Sequence, residues 1–325
     1  MPWQWHIIYR FWLIYRVYWT KQSKVGSFSN AFSLLYRNIQ ETLVDQKPLR
    51  IAILSMYNNA PNQGMRSIKT IIERESGRFN DIEFEYKVFE TRYLNEHPEV
   101  NDFDIFICTG GPGDPFDGIG QAWEGNYFKM LDKIQAINAQ ENSDKKFIFS
   151  ICHSFQLMCR YFNIATVTKR QKTSFGVFPC HFTEEGTKDP VFKGMDDPFF
   201  IVDSREWQCV APNFDRIKEI GATVLSLEKF RPHIELEQAL MSIRISNYWV
   251  GSQFHPEADP AGMRVYFALE DKRNATIAQH GSEKFYAMLD HLEDPDHIWR
   301  TNHCILPNFL QGAVAELRPE LVSKA

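Results

Sequence analysis

The residues most able to do chemistry in this chain surround a cysteine at the junction of two hydrophobic patterns. Phe147-Ile-Phe-Ser-Ile-Cys152-His-Ser-Phe-Gln156 begins as a short apolar run that reads as a buried strand. It continues with apolar residues at helical spacing, Phe155, Leu157 and Met158. A nucleophile on a sharp strand-to-helix turn is exposed by that turn. The helix N-terminus behind it favours the thiolate. Its neighbours Ser150 and Ser154 are small, as close passage of strand and helix backbones requires. Farther along comes Gly251-Ser-Gln-Phe-His255-Pro-Glu257. In extended backbone, residues two apart project to the same side. His255 and Glu257 can therefore stack as base and orienter, with Pro256 stiffening the link. Cys152, His255 and Glu257 together would form a thiol relay. A lone cysteine at a strand end is more often a small buried hydrophobe. The elbow and the His-Pro-Glu segment occurring together weigh against that bland reading.

A third element points the same way. Asp104-Ile-Phe-Ile-Cys-Thr-Gly110-Gly111-Pro-Gly113-Asp-Pro115 reads as another buried strand running into a glycine-rich turn. Such a turn leaves backbone N–H groups free to face an oxyanion; taken alone, it could equally be an ordinary strand-to-helix turn.

In this order the three motifs resemble the class I glutamine amidotransferases, whose pattern is a Gly-Gly-Pro-Gly-type loop, then Gly-x-Cys-x-Gly-x-Gln, then His-Pro-Glu. The likeness spans roughly residues 49 to 265 and is that of a stand-alone domain similar to the glutaminase domain of GMP synthase. The resemblance implies a three-layer flavodoxin-like α/β sandwich with a mostly parallel central sheet. It implies a Cys152 nucleophile, a His255 base and a Glu257 orienter, with the backbone N–H groups of Gly111 and His153 as the oxyanion hole. It further implies that Gly113, Gln156 and the Ser174-Phe175 segment contact the substrate, glutamine or a γ-glutamyl compound. No cofactor and no metal are implied. A separate synthase subunit is a partner that the resemblance brings with it.

The chain departs from the family pattern at the elbow, where both glycines are serines, Ser150 and Ser154. If those positions need positive φ, each serine would strain the backbone by about 1 kcal/mol. The departures bear on turnover and leave room for a substrate other than free glutamine. Three readings therefore stand side by side: a glutaminase feeding ammonia to an acceptor, a γ-glutamyl peptidase or hydrolase using the same relay, and a silent scaffold that only binds.

Composition agrees with a globular enzyme. Of 325 residues, 44% are hydrophobic and 24% charged, with a net charge of −5. That balance gives no reason to expect a nucleic-acid partner. The six cysteines, Cys108, Cys152, Cys159, Cys180, Cys209 and Cys304, contain no Cys-x-x-Cys pair. Neither a zinc site nor a disulfide framework is suggested. A reducing, cytoplasmic location is expected for a thiol nucleophile.

The elements that must carry these groups alternate. Arg50–Met56, Ile82–Phe89, Phe103–Cys108 and Phe147–Ile151 read as strands, with helices over Met65–Glu75 and Tyr127–Asn138. Such alternation predicts a parallel sheet covered on both faces, with active groups at the carboxyl ends of its strands. Segments near Thr173–Thr183, Phe199–Asp203, Ala222–Glu228 and Ala239–Ile245 read as antiparallel or mixed strands. Residues 266–325 read as a helical extension, notably Glu283–Leu292 and Leu306–Leu317. Residues 1–48 read as a separate extension: an aromatic segment holding four of the eight tryptophans, then a helix over Asn30–Lys47 stopped by Pro48. Arg10 and Arg16 interrupt the apolar stretch, so it is no comfortable membrane span. An interfacial amphipathic helix is the alternative to a plain extension outside the catalytic fold.

Other motifs fall short. Gly118-Ile-Gly120 lacks the third glycine of a dinucleotide fingerprint. His297, His303 and Cys304 match no standard metal spacing. His153 adjoins Cys152 and so points away from it, which makes it an oxyanion-side or surface group rather than the base.

Overall fold

The computed structural model describes residues 48–79, 82–230 and 237–319. The N-terminal aromatic segment and the helix expected over Asn30–Lys47 lie outside the described residues. Among the described residues, nine strands form one sheet in the order β2-β1-β3-β4-β9-β8-β7-β5-β6. The first five of these run parallel: β2 (Phe84–Phe89), β1 (Leu49–Leu54), β3 (Ile105–Cys108), β4 (Phe147–Ile151) and β9 (Trp249–Ser252). The rest form an antiparallel arm: β8 (Leu240–Ser246), β7 (Thr223–Glu228), β5 (Thr166–Phe182) and β6 (Phe199–Val210). The α/β flavodoxin-like fold is thus present, its parallel half extended by the arm.

The alternation along each central strand explains the layers. Ile51, Ile53, Ile105, Ile107, Phe147 and Phe149 point to one core, where they meet Ile68, Ile71 and Ile72 of α1 (Gln63–Ser76). Ala52, Leu54, Phe106, Cys108 and Ile148 point to the other. There they meet Leu131 of α2 (Ala122–Asn138) and Leu157 and Met158 of α3 (His153–Phe162). A strand buried on both faces reads as a continuous apolar run, as these three do.

Helix ends follow local chemistry. Asn62 caps α1 by accepting from Gly64 N at 2.5 Å, and Asn163 ends α3 in the left-handed region. After β9, Asp259 caps α4 (Pro260–Ala268), accepting from Gly262 N at 2.6 Å, with Pro260 in the first turn. The chain continues through α5 (Glu270–His280) and α6 (Ser282–Glu293) to α7 (Arg300–Leu317). Met263 and Phe267 of α4 and Phe285, Met288 and Leu292 of α6 cover Val177 and Val202 of the arm. Phe309, Leu310, Ala313 and Val314 of α7 join α1 in the first core. No helix of the described residues is long and apolar enough to cross a membrane.

Candidate active site

Strand register brings the ends of the three motif-bearing strands into one row, with Cys152 at its centre. Cys108 pairs with Ser150, and Ser150 with Gly251, at the carboxyl ends of β3, β4 and β9. Two residues farther along each strand lie Gly110, Cys152 and Gln253. Contacts confirm the row. A Cβ added to Gly110 would sit 3.4 Å from Cys152 Cβ, and Gln253 Nε2 lies 3.8 Å from Cys152 Sγ.

Cys152 occupies the corner with φ 48° and ψ −96°, immediately before α3. Its N–H donates to Ser252 O at 2.8 Å, which ties the corner to β9. Positive φ is strained for a residue with a Cβ, by about 1–3 kcal/mol. The strain sits on the cysteine itself. Ser150 and Ser154 are not in the left-handed region, so the strain expected for them does not arise. Both hydroxyls are instead bonded. Ser154 Oγ accepts from Ile151 N at 2.8 Å and donates to Cys108 O at 2.7 Å. Ser150 Oγ accepts from Trp249 Nε1 at 3.1 Å.

His255 and Glu257 meet as expected, but through a turn at Pro256 and Glu257 rather than along extended backbone. His255 N donates to Val202 O at 3.0 Å, forming an isolated bridge to the arm. His255 Nδ1 lies 2.8 Å from Glu257 Oε1. The other face of the ring fixes Gly110, where a Cβ would lie 2.8 Å from His255 Cε1. Burial disfavours a charged ring, but Glu257 and Cys152 outweigh it and hold the imidazole well above its usual pKa. Glu257 is 1% exposed, and no donor among the described residues reaches its Oε2.

The glycine-rich turn is shaped by close approach. A Cβ on Gly111 would lie 2.7 Å from the carbonyl carbon of Met56. Gly113 has φ 89°, with Arg92 and Asp117 as its neighbours at the outer end of the turn. Two arginines hold the turn by its carbonyls: Arg92 donates to Pro112 O and Arg160 to Pro115 O. Among the described residues, neither Gly111 N nor His153 N donates to a protein acceptor. The His153 ring is buried rather than at the surface. Burial, then Arg92 and Arg160, lower its pKa to about 3, so it stays neutral.

Of the remaining candidates, Gln156 is buried and donates from Nε2 to Trp207 O at 3.1 Å and Gln253 Oε1 at 3.4 Å. Ser174 and Phe175 pair with Arg205 and Ser204 across β5 and β6. Cys152 Sγ faces Ser204 O at 3.8 Å, so this hairpin does reach the sulfur. The Phe175 ring itself packs edge-on against Phe267 at 5.5 Å, away from the sulfur-facing Ser204 carbonyl. Sequence reasoning missed Gln253, although two-residue spacing before His255 puts it on the same side of the strand. It also missed the buried Asp203–Arg205 pair, 2.9 Å apart, whose Arg205 lies in the field of Cys152. Alternating buried charges within a strand were the available signal. Among the described residues, no group of three His, Cys, Asp or Glu side chains could hold a metal ion.

The model of the family described as glutamine amidotransferase class-I matches residues 65–269. Solved structures share the fold. A glutamine amidotransferase from Thermotoga maritima is 13% identical with a TM-score of 0.57, covering 83% of this chain and 99% of its own. One from Methylobacillus flagellatus is 14% identical with a TM-score of 0.54, covering 82% and 96%. The glutaminase domain of Trypanosoma brucei CTPS, with bound acivicin, is 10% identical with a TM-score of 0.51, covering 82% and 93%. Among curated protein sequences, none matches this chain.

Proposed function

The chain belongs to the class I glutamine amidotransferase family, and on that premise we propose that it hydrolyses the side-chain amide of glutamine through a cysteine thioester. The observation that carries this reading is the strained Cys152 corner facing a His255–Glu257 pair 2.8 Å apart. Cys152 Sγ attacks the carboxamide carbon, and the carbonyl electron pair moves onto oxygen. The N–H groups of Gly111 and His153 receive that charge, each worth roughly 3 kcal/mol. His255 takes the thiol proton and passes it to the departing ammonia as the tetrahedral adduct collapses. Glu257 fixes the ring tautomer and stabilises the imidazolium. His255 then removes a proton from water, which attacks the thioester carbonyl. Glutamate leaves, and the sulfur regains its proton.

Substrate contacts are assigned to Gln156, to Gly113 and to the backbone of Ser174 and Phe175. The ammonia passes to an acceptor held by a separate synthase subunit, and a reducing compartment such as the cytoplasm suits the thiol.

The test is ammonia release from glutamine and from γ-glutamyl amides, beside mass spectrometry after treatment with a γ-glutamyl-directed electrophile. Turnover of glutamine with label on Cys152 supports the proposal. Turnover of γ-glutamyl amides alone would convert it to a γ-glutamyl hydrolase. No turnover and no label would leave a binding scaffold.

A further inference from the structure

Glu257 stands in a turn, outside any strand or helix. Its carboxylate is held at Oε1 by His255, while Oε2 is buried with no partner among the described residues. The direction of the carboxylate therefore depends on how its own backbone is held. Pro256 offers no N–H there. The turn is closed by one long bond, Ala258 N to His255 O at 3.3 Å.

The stronger hold comes from α7, outside the matched residues 65–269. Asn302 Nδ2 donates to Glu257 O at 2.8 Å, and both groups are buried. Arg74 of α1 in turn grips Asn302. Its Nη1 lies 3.1 Å from Asn302 Oδ1 and its Nη2 lies 3.1 Å from Asn302 O. The amide is thus fixed in orientation, its acceptor end by a guanidinium and its donor end on Glu257. His303, the next residue, meets the same arginine at 2.9 Å. One face of this assembly lines a cavity of about 430 Å³ between α1, α4 and α7.

We propose that Asn302, supplied by the C-terminal helix, is a positioning residue that sets the orientation of Glu257 and through it of His255. The inference rests on the relay proposed above. A hydrogen-bonded amide held by a second group is a preorganised support, and a misplacement of about 1 Å near a reacting group costs roughly 100-fold in rate. The ionisable groups facing this assembly come from several elements. Cys152 and Glu257 face His255, Tyr57 lies against Glu257, Arg205 lies toward Cys152, Arg74 meets Asn302, His303 and Glu75 meet Arg74, and Asp259 and Arg264 line the cavity.

Three variants test it. Asn302→Asp keeps shape and the Arg74 partner but loses the donor. Asn302→Leu loses both ends. Arg74→Met, on a partly exposed side chain, frees the amide without touching the core. The readouts are kcat, KM and the titration of the His255 ring by NMR on histidine-labelled protein, with His255→Asn assigning the signal. The expected result is a fall in kcat of roughly 10- to 100-fold with little change in KM. The His255 titration should move to lower pH, because a misdirected carboxylate supports the imidazolium less. Arg74→Met should shift both in the same direction by less. Folded variants with an unchanged titration and unchanged kcat overturn the proposal. If Asn302→Leu does not fold, Asn302→Asp and Arg74→Met still decide. Glu257→Gln serves as the control: if it too leaves the titration unmoved, the relay is at fault rather than the buttress.

Discussion

His255 Nδ1 and Glu257 Oε1 lie 2.8 Å apart although both residues hang from the same short segment of chain. Pro256 alone separates them, and the chain turns there, so the proposed base and its orienter are brought together by one tight turn after the bridge at His255. The pair works against burial: desolvation disfavours the imidazolium, and Glu257 and Cys152 restore and exceed what is lost.

The pH dependence follows with a definite sign. Because the His255 pKa is raised, the imidazolium partner of Cys152 persists above an ordinary imidazole's range and is lost only as pH rises through the raised value. The alkaline limb of kcat/KM is expected well above pH 6.5, the usual histidine value. Glu257→Gln should move the alkaline limb to lower pH and cut turnover by roughly 10- to 10⁴-fold. A limb that stays in place would reduce the relay to Cys152 and His255.

Thiol chemistry should be confined to one site. Burial pushes Cys108 and Cys180 up to about 12 and also raises Cys159 and Cys304. Iodoacetamide at neutral pH, followed by peptide mapping, should label Cys152 first. Cys152→Ser should remove that label and ammonia release together while the unfolding transition remains. Fast labelling elsewhere with Cys152 untouched would overturn the assignment.

Adjacent glycines should fail in different ways. In Gly110→Ala the new Cβ meets the His255 ring at 2.8 Å and Cys152 Cβ at 3.4 Å. Turnover should collapse with little change in stability, because a side chain can swing aside. In Gly111→Ala the Cβ meets the Met56 backbone instead. That clash should cost about 1–3 kcal/mol in urea unfolding. Equal stability losses in the two variants would contradict this division.

Restoring glycine at the elbow should not help. Ser154→Gly removes an acceptor for Ile151 N and a donor to Cys108 O, and Ser150→Gly leaves the Trp249 indole N–H unpaired. Each should destabilise by about 1–3 kcal/mol, read by chemical denaturation. A gain in stability would mean the serines are strained after all.

Much of this was legible in the residues. The central strands showed as apolar runs because both faces of β1, β3 and β4 are buried. The three motifs fell at strand ends, where an open α/β sheet carries its site. The arm was harder to read. β5 runs from Thr166, but its stretch through Thr173 is polar, and the register with β6 shifts between Lys169 and Ser174. Hydrophobic alternation is absent there, so only the half from Thr173 onward was seen. α7 begins at Arg300 rather than Leu306 because its first turn buries polar groups, Thr301 and Asn302. A polar side chain buried to make a hydrogen bond leaves no mark in a hydrophobic pattern. The two-residue spacing of Gln253 before His255 was a weak signal, and the β4–β9 register is what sets it beside Cys152.

The Ser154 hydroxyl joins two things that a glycine elbow would leave separate. One oxygen is bonded both to the backbone just before the nucleophile and to the last carbonyl of the strand that leads into the glycine turn. In the proposed mechanism it is a spacer bar between the point of attack and the cradle for the resulting charge. The cysteine corner and the glycine turn are thereby tied through one oxygen in the middle of the sheet, so a shift of either strand end is passed directly to the other.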